Sequence, residues 1–474
     1  MTRGPQIVAV LALLLTARAT VGVADPPTED KDLNLIPSST ETPPADATPV
    51  ASGALQRIFL EDAVTGSWLE NDLLPAPPPP PQPRWEERAL LDVRSEWHAG
   101  NDLLLTYSGR LNLRAEDGLG FPNHENLTND LREAYLGWKP LDQLFLDVGR
   151  INVKSGVALG FNPTDFFKTR AVVEPLSLDP VVLREDRLGT LMLRAERVWT
   201  KGSLTAAYAP AVSSDSPIYT SFDLRSFDPM FDRTNAHDRW FLKGIVDVAE
   251  GFSPELLAYE SQGRVRFGAN LAENVGQSVV AYLEWSGGRQ GSVSEDALAF
   301  RQATGSLPAA AGNVLPGLGA VRFRNQVAAG ASYTTALPKI TFNVELLYSE
   351  AGFTGAQWDE WFRAGSAAGA LSPIAGALWY VRQYAADQQD LISRRFTFLR
   401  MDWVDAFVPK LEVSGFAETD LADGSTRLQL GADYYLSDRW TVGGLILVDS
   451  GGRHSDFGSL PQAGSVLLKV VRYL

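Results

Sequence analysis

From Asp102 to Leu474 the chain alternates apolar and polar residues in short runs separated by turn-forming residues. In TRLQLGADYY, Leu428, Leu430, Ala432 and Tyr434 fall on one face and Arg427, Gln429, Gly431 and Asp433 on the other. A period of two marks a strand with one oily and one wet side. The pattern recurs with Leu103, Leu105, Tyr107, Leu111 and Leu113 opposite Thr106, Ser108, Arg110, Asn112 and Arg114. It recurs again with Ile340, Phe342, Val344, Leu346 and Tyr348 opposite Asn343 and Glu345, and with Val265, Phe267, Ala269 and Leu271 opposite Arg264, Arg266 and Asn270. Sixteen strands are predicted, over 102–116, 130–139, 144–155, 189–200, 202–210, 239–249, 256–262, 264–273, 277–287, 325–337, 340–350, 395–407, 411–420, 426–436, 440–449 and 465–474.

The connections obey a parity. KPLDQ, KG, AEGFSPE, ENVG, LPK, VPK and LSDR, the even-numbered joints, are all short, while the odd-numbered ones include the longest stretches. Short turns on one side and long loops on the other are the habit of outer-membrane barrels with both termini in the periplasm. The joint at Gly263 is the exception, being short where a long loop is expected. With this parity Trp138, Trp199, Trp403, Tyr434 and Trp440 fall at periplasmic strand ends, and Tyr208, Trp240, Trp285 and Tyr348 at outer ends. Amphipathic rings favour the headgroup level, so two belts are expected of a membrane barrel. A charge at the lipid midplane costs about 2–4 kcal/mol, and a slip of one residue would turn the whole charged register outward. The fold class read from the pattern is all-β, a transmembrane antiparallel up-and-down β-barrel of about sixteen strands, within a range of about fourteen to eighteen. Residues 89–98 extend the first strand or add to the count.

Composition supplies the address. Mean hydropathy is −0.09, far from that of a multi-helix membrane protein. Ile7 to Leu15 is a nine-residue apolar run after Arg3, followed by Gly22-Val23-Ala24, so residues 1–24 read as a secretory signal peptide. The 474 residues contain no Cys, so neither disulfides nor a lipid-modified Cys are expected. The formal charge is −15, and residues 25–88 hold twelve acidic against four basic residues. Residues 25–88 read as a mostly disordered, Pro-rich periplasmic extension, with a polyproline spacer at Pro75 to Pro83. Within it SGALQRIFLEDAVTGSWLENDLL reads as a partly ordered linker, a docking element for a periplasmic or inner-membrane export partner, or a plug in the barrel mouth. Residues 89–474 are then the barrel, in the outer membrane of a Gram-negative bacterium.

About sixteen strands enclose a water-filled lumen. Its inferred lining mixes Arg110, Arg114, Arg150, Lys154, Arg194, Arg264 and Arg266 with a near-equal number of acids, and pairing across strands is expected. Gly149 to Gly189 leaves the third strand through Gly156, Gly160, Asn162 and Pro163, and then crowds Asp165, Lys168 and Arg170 together with other charges. Either it is a surface loop, or it folds back to narrow the pore and filter by charge and size, with Lys154, Lys168 and Arg170 as its cationic side. Ser349 to Arg395 has two stretches with helical spacing and is rich in Trp and Tyr. It packs on itself, caps the pore, or stacks on a sugar or apolar ligand.

Gly149-Arg150 followed by Gly156, Gly160 and Asn162-Pro163-x-Asp165 resembles the turn of porin-like barrels related to the alginate-export proteins. So do Asp423-Gly-Ser425 with TRLQLGADYYLSDRW and the closing SDFGSLPQAGSVLLKVVRYL. The resemblance implies passage of an anionic or hydrophobic solute or polymer through the outer membrane. Alginate-type members line the pore with many Arg and Lys, whereas this lumen is mixed. Barrels of this kind close on an aromatic residue, whereas Leu474 is last here, so recognition by the barrel-insertion machinery rests on Tyr473, Val470, Leu468 and Val466.

Chemistry for catalysis is thin. His454-Ser455-Asp456 is the one cluster of triad-type residues, and triads are assembled in space rather than along the chain. No zinc-ligand spacing, phosphate loop or basic stripe occurs, so no metal, cofactor or nucleic-acid partner is expected. The function read from the sequence is passive passage of a solute or exported product across the outer membrane, in contact with its lipid. The alternatives are an outlet component of an export system and an outer-membrane hydrolase.

Overall fold

The computed structural model describes residues 54–69, 83–117, 127–173, 175–216, 229–249, 251–304, 321–368 and 373–474. The first nine strands are β1 (Ala54–Leu69), β2 (Trp85–Ala99), β3 (Leu103–Glu116), β4 (Leu127–Leu141), β5 (Leu144–Ile151), β6 (Thr190–Trp199), β7 (Gly202–Ala209), β8 (Arg239–Val246) and β9 (Glu255–Ser261). The other nine are β10 (Arg264–Val275), β11 (Val279–Gln290), β12 (Arg322–Thr334), β13 (Ile340–Ser349), β14 (Arg395–Trp403), β15 (Leu411–Asp420), β16 (Thr426–Ser437), β17 (Trp440–Ser450) and β18 (Gln462–Tyr473). Each pairs antiparallel with its neighbour in sequence, and β1 pairs with β18, so the sheet closes into an 18-stranded barrel.

All sixteen expected strands are present, residues 89–98 add one more to the count as β2, and β1 was not expected. β1 lies wholly in the stretch read as a disordered extension, and the wall begins at Ala54 rather than at residue 89. The reason is pairing. β1 is held on both flanks, with Phe59 opposite Tyr473 and Asp92, so neither of its edges is left unsatisfied. The stretch read as a docking element or plug is therefore wall. Leu69, which precedes the polyproline run in sequence, sits beside Gln462 at the long-loop rim, opposite the C-terminal end of β18. The signal-peptide reading and most of that run lie outside the described residues.

The faces follow the alternation. Leu105, Val265, Phe267, Val344, Leu346 and Leu430 are exposed on the outer face, while Thr106, Asn112, Asn270, Asn343 and Gln429 are buried inside. Trp138, Trp199 and Tyr434 are exposed near the short-turn rim, and Trp240 near the other. Among the outward acids that break the rule are Asp62 and Glu87. Asp62 lies opposite Val470 and Ala89, and Glu87 opposite Val64 and Ala115, both within the apolar belt. At the short outer joint Gln262 (φ 56°) and Gly263 (φ 71°) form a two-residue hairpin with both central residues left-handed. That turn matches the strand twist, so β9 and β10 stand as expected despite the missing loop.

Among the described residues five α-helices decorate the connections: α1 (Pro180–Glu185), α2 (Phe231–Thr234), α3 (Val293–Ala303), α4 (Gly355–Ala368) and α5 (Pro373–Gln388).

Candidate functional site

Residues 152–189 leave β5 and enter the barrel. Gly156 (φ +83°) makes the first turn, where a Cβ would overlap the Glu284 carboxylate. The backbone then meets two buried acids on the wall. Glu284 of β11 accepts the Ala158 N–H at 2.5 Å, and Glu345 of β13 accepts those of Leu159 and Gly160 at 2.6 and 2.9 Å. The Tyr282 hydroxyl also donates to Glu345, at 2.6 Å, and the Thr164 hydroxyl donates to Asn270 of β10 at 2.8 Å. A buried carboxylate needs several donors to offset lost hydration, and successive backbone N–H groups supply them. Phe161, Phe398 and Phe416 close an apolar layer over this anchor, while Phe166 stacks on Tyr259 at 4.8 Å.

The segment then runs along the adjoining wall, β14–β16. Leu178 N–H donates to Gln429 of β16 at 3.0 Å, whose amide donates to the Ser177 hydroxyl at 2.8 Å. Asp179 caps α1 by accepting from Val181 N–H at 2.9 Å and pairs with Arg400 of β14. At the far end of α1, Asp186 meets Arg110 at 2.9 Å and Arg132 at 3.2 Å, and both arginines also hold Asp92 of β2. Internally Arg187 grips Asp165 at 2.7 Å, both almost fully buried. The segment is thus fastened to β10–β13, to β14–β16 and to β2–β4. It is an infolded element, not a surface loop.

A second connection, 350–394, covers the long-loop rim. Trp358, Trp361, Phe362, Trp379 and Tyr380 are buried in one cluster that α3 joins through Ala297 and Leu298. Arg382 lies over the faces of Trp358, Trp361 and Trp379 at 5.1–5.6 Å and pairs with Asp456 at 2.6 Å. These rings face one another, so they are not free to stack on a ligand. The two connections touch where Arg170 N–H donates to the Asp387 carbonyl at 2.8 Å, and Arg233 of α2, from a third connection, pairs with the Asp387 carboxylate at 2.7 Å. Burial pushes the Asp387 carboxyl above its ordinary value, against the pull of these two arginines.

The sequence-predicted residues occupy different settings. Arg110 faces the lumen but is spoken for by Asp92 and Asp186; Arg114 lies 3.7 Å from Glu116. Arg194 pairs with Asp147 at 2.8 Å. Arg150 is buried, donating to the Gly189 carbonyl at 2.8 Å and stacking on Phe231, so it does not line a passage. Asp165 is the buried partner of Arg187. Lys154, Lys168 and Arg170 do not make one cationic side. Lys154 pairs with Glu185, Lys168 is buried against Phe161 and the Asn162 carbonyl, and Arg170 is buried against Asp215, Asp232 and Asp387. The reason is geometric: the infolded segment turns these charges back onto itself and its neighbours.

Two candidates remain toward the lumen. Arg264 reaches Asp296 at 3.3 Å while its side chain stays two-fifths exposed. Arg266 donates to Ser286 and Gln326, both neutral, at 3.0 and 2.5 Å, and lies over Phe166 at 5.0 Å. Among the described residues no carboxylate lies within ion-pair distance of Arg266. The Arg132–Asp92 node escaped sequence reasoning because its partners lie 40 residues apart, beyond the reach of any local period. In His454-Ser455-Asp456 the serine hydroxyl donates to the Gly452 carbonyl at 2.6 Å, His454 packs on Phe362 at 5.3 Å and Asp456 serves Arg382. No serine–histidine relay is assembled there.

No family model matches the sequence, and no curated protein matches it. Solved structures do. The chain is similar to Pseudomonas aeruginosa OccK5 (OpdH), with 9% identity and a TM-score of 0.51 over 89% of this chain and 98% of that one. It is similar to OccK8 (OprE) of the same organism at 10% identity and TM-score 0.51, and to OccK2 (OpdF), solved in complex with glucuronate, at 14% and 0.50. Both matches cover 89% of this chain and 98% of the other. At such identities the likeness is one of fold: the chain shares the barrel of these outer-membrane proteins.

Proposed function

We propose that the protein is a passive channel of the outer membrane of a Gram-negative bacterium, passing a small anionic solute beside the infolded segment 152–189. The observation that supports this is the fastening of that segment at three places around the wall, since a filter must hold its shape against the solute it admits. Arg266 is the contact we assign to the solute's negative charge, because its partners are neutral. The neighbour crystallised with glucuronate favours a carboxylate of that size. Kinship with alginate-export barrels is a narrower reading, supported by the short motifs at 149–165 and 423–474. The lumen's ion pairs favour a small solute over a polyanion.

The test is ion preference in planar bilayers. Arg266→Gln is expected to move the reversal potential toward cations, and Lys168→Gln, buried on Phe161, to move it less. Equal reversal potentials for wild type and Arg266→Gln would overturn the assignment. The outlet reading is separated by deleting residues 25–53, which spares β1. Conductance retained with secretion intact favours the channel, and secretion lost with an intact barrel favours the outlet. We also propose that Val466, Leu468 and Val470, exposed together on the outer face of β18, are the residues the barrel-insertion machinery reads.

A further inference from the structure

The outer face of β4–β10 is not smooth. Ala195 and Ala206 lie side by side on β6 and β7 and, with Ala258 of β9 beyond Leu242 of β8, line a groove of about 730 Å³ walled by Trp138, Leu193 and Trp240. Its size lies within the roughly 300–1,000 Å³ of small-molecule sites. The small side chains of Ala195 and Ala206 leave it open between Leu146 on one flank and Leu242 on the other. Trp138 is 49% exposed at the short-turn rim and Trp240 is 55% exposed at the long-loop rim, so the groove runs the height of the apolar belt.

Its two ends differ in charge. At the long-loop end the groove meets Glu260, and Asp238 accepts from the Tyr208 hydroxyl at 2.9 Å. At the short-turn end Arg197 follows Ala195 by two residues and so points out from the same face, opposite Leu144 and Leu204. Arg197 is exposed and, among the described residues, has no hydrogen bond or ion pair. Trp138 and Trp199 stand on either side of its level.

The geometry points to a binding site for one anionic glycerophospholipid of the periplasmic leaflet. An acyl chain lies in the alanine-floored groove, and the phosphate meets the Arg197 guanidinium between the two tryptophans. A cation without a protein partner at the mouth of an apolar trough complements a headgroup phosphate. The acids at the opposite end repel an anionic headgroup from the outer leaflet, which selects the side. This rests on the membrane reading above. Failure of that reading would appear as protein soluble without detergent, whereas failure of the site leaves a detergent-soluble barrel without retained lipid.

The experiment is native mass spectrometry of the full barrel released from detergent after incubation with phosphatidylglycerol. The wild type is expected to retain one lipid. Arg197→Ser is expected to lower the retained fraction roughly fivefold, the weight of one cation at an anionic surface. Ala206→Trp, which fills the floor and keeps the arginine, is expected to abolish retention. Gel mobility before and after heating checks that each variant is folded. Equal retention in all three proteins would assign the lipid to the general annulus and overturn the site. A dimer or trimer that Ala206→Trp dissociates would assign the groove to a second copy of the chain and overturn it equally.

Discussion

The two long connections, 152–189 and 350–394, solve one problem in opposite ways. The first has little core of its own and takes its shape from the wall, through Glu284, Glu345, Gln429 and Arg400. The second carries its own wall, an aromatic cluster around Trp361. A segment that depends on polar anchors can be re-aimed by changing one wall residue; a segment with a packed core moves as a body or unfolds as one. The infolded segment and the helical cover are thus expected to respond to different mutations.

The largest effect is expected from Glu345→Ala, which strips two backbone N–H groups and the Tyr282 hydroxyl of their acceptor. Each buried group left unpaired costs about 1–3 kcal/mol. Single-channel conductance should rise and become noisy, while protease sensitivity at α4 and α5 stays unchanged. Trp361→Ala should cost the helical connection about 3–5 kcal/mol. Cleavage within 355–388 should accelerate with mean conductance little altered. Were it to open the pore as far as Glu345→Ala does, the two connections would be one unit and the contrast would fail. Gly156→Ala should displace the first turn by a smaller amount, about 1–2 kcal/mol for the left-handed backbone alone, with the Glu284 overlap added, and should raise conductance partway. Smallest of all, Glu87→Val removes an acid from the apolar belt and should stabilise the barrel by about 1–2 kcal/mol in denaturant unfolding from lipid, leaving conductance as it was.

The wall was more legible than what it encloses. Strands such as 426–436 declare themselves because burial on one face and lipid on the other leave only one register. β1 hid for a physical reason: Asp62 and Gly66 interrupt its outward face, Phe59 and Ala63 its inward one, and the Pro-rich stretches flanking it have the composition of a linker. The candidate cations were found by type and face, but their partners were not. Arg110 meeting Asp186, 76 residues away, is set by the path of the infolded segment, which no local period encodes. The helical cover, by contrast, was readable from its spacing and its rings, and among the alternatives the self-packed one is observed.

The pairing of Phe59 with Tyr473 has a consequence for biogenesis. The seam of the cylinder joins the first described strand to the last, so no ring can form until both are available to one another. Until then β18 presents a bare row of amide and carbonyl groups along one edge, a template that β1 must find across the whole intervening wall.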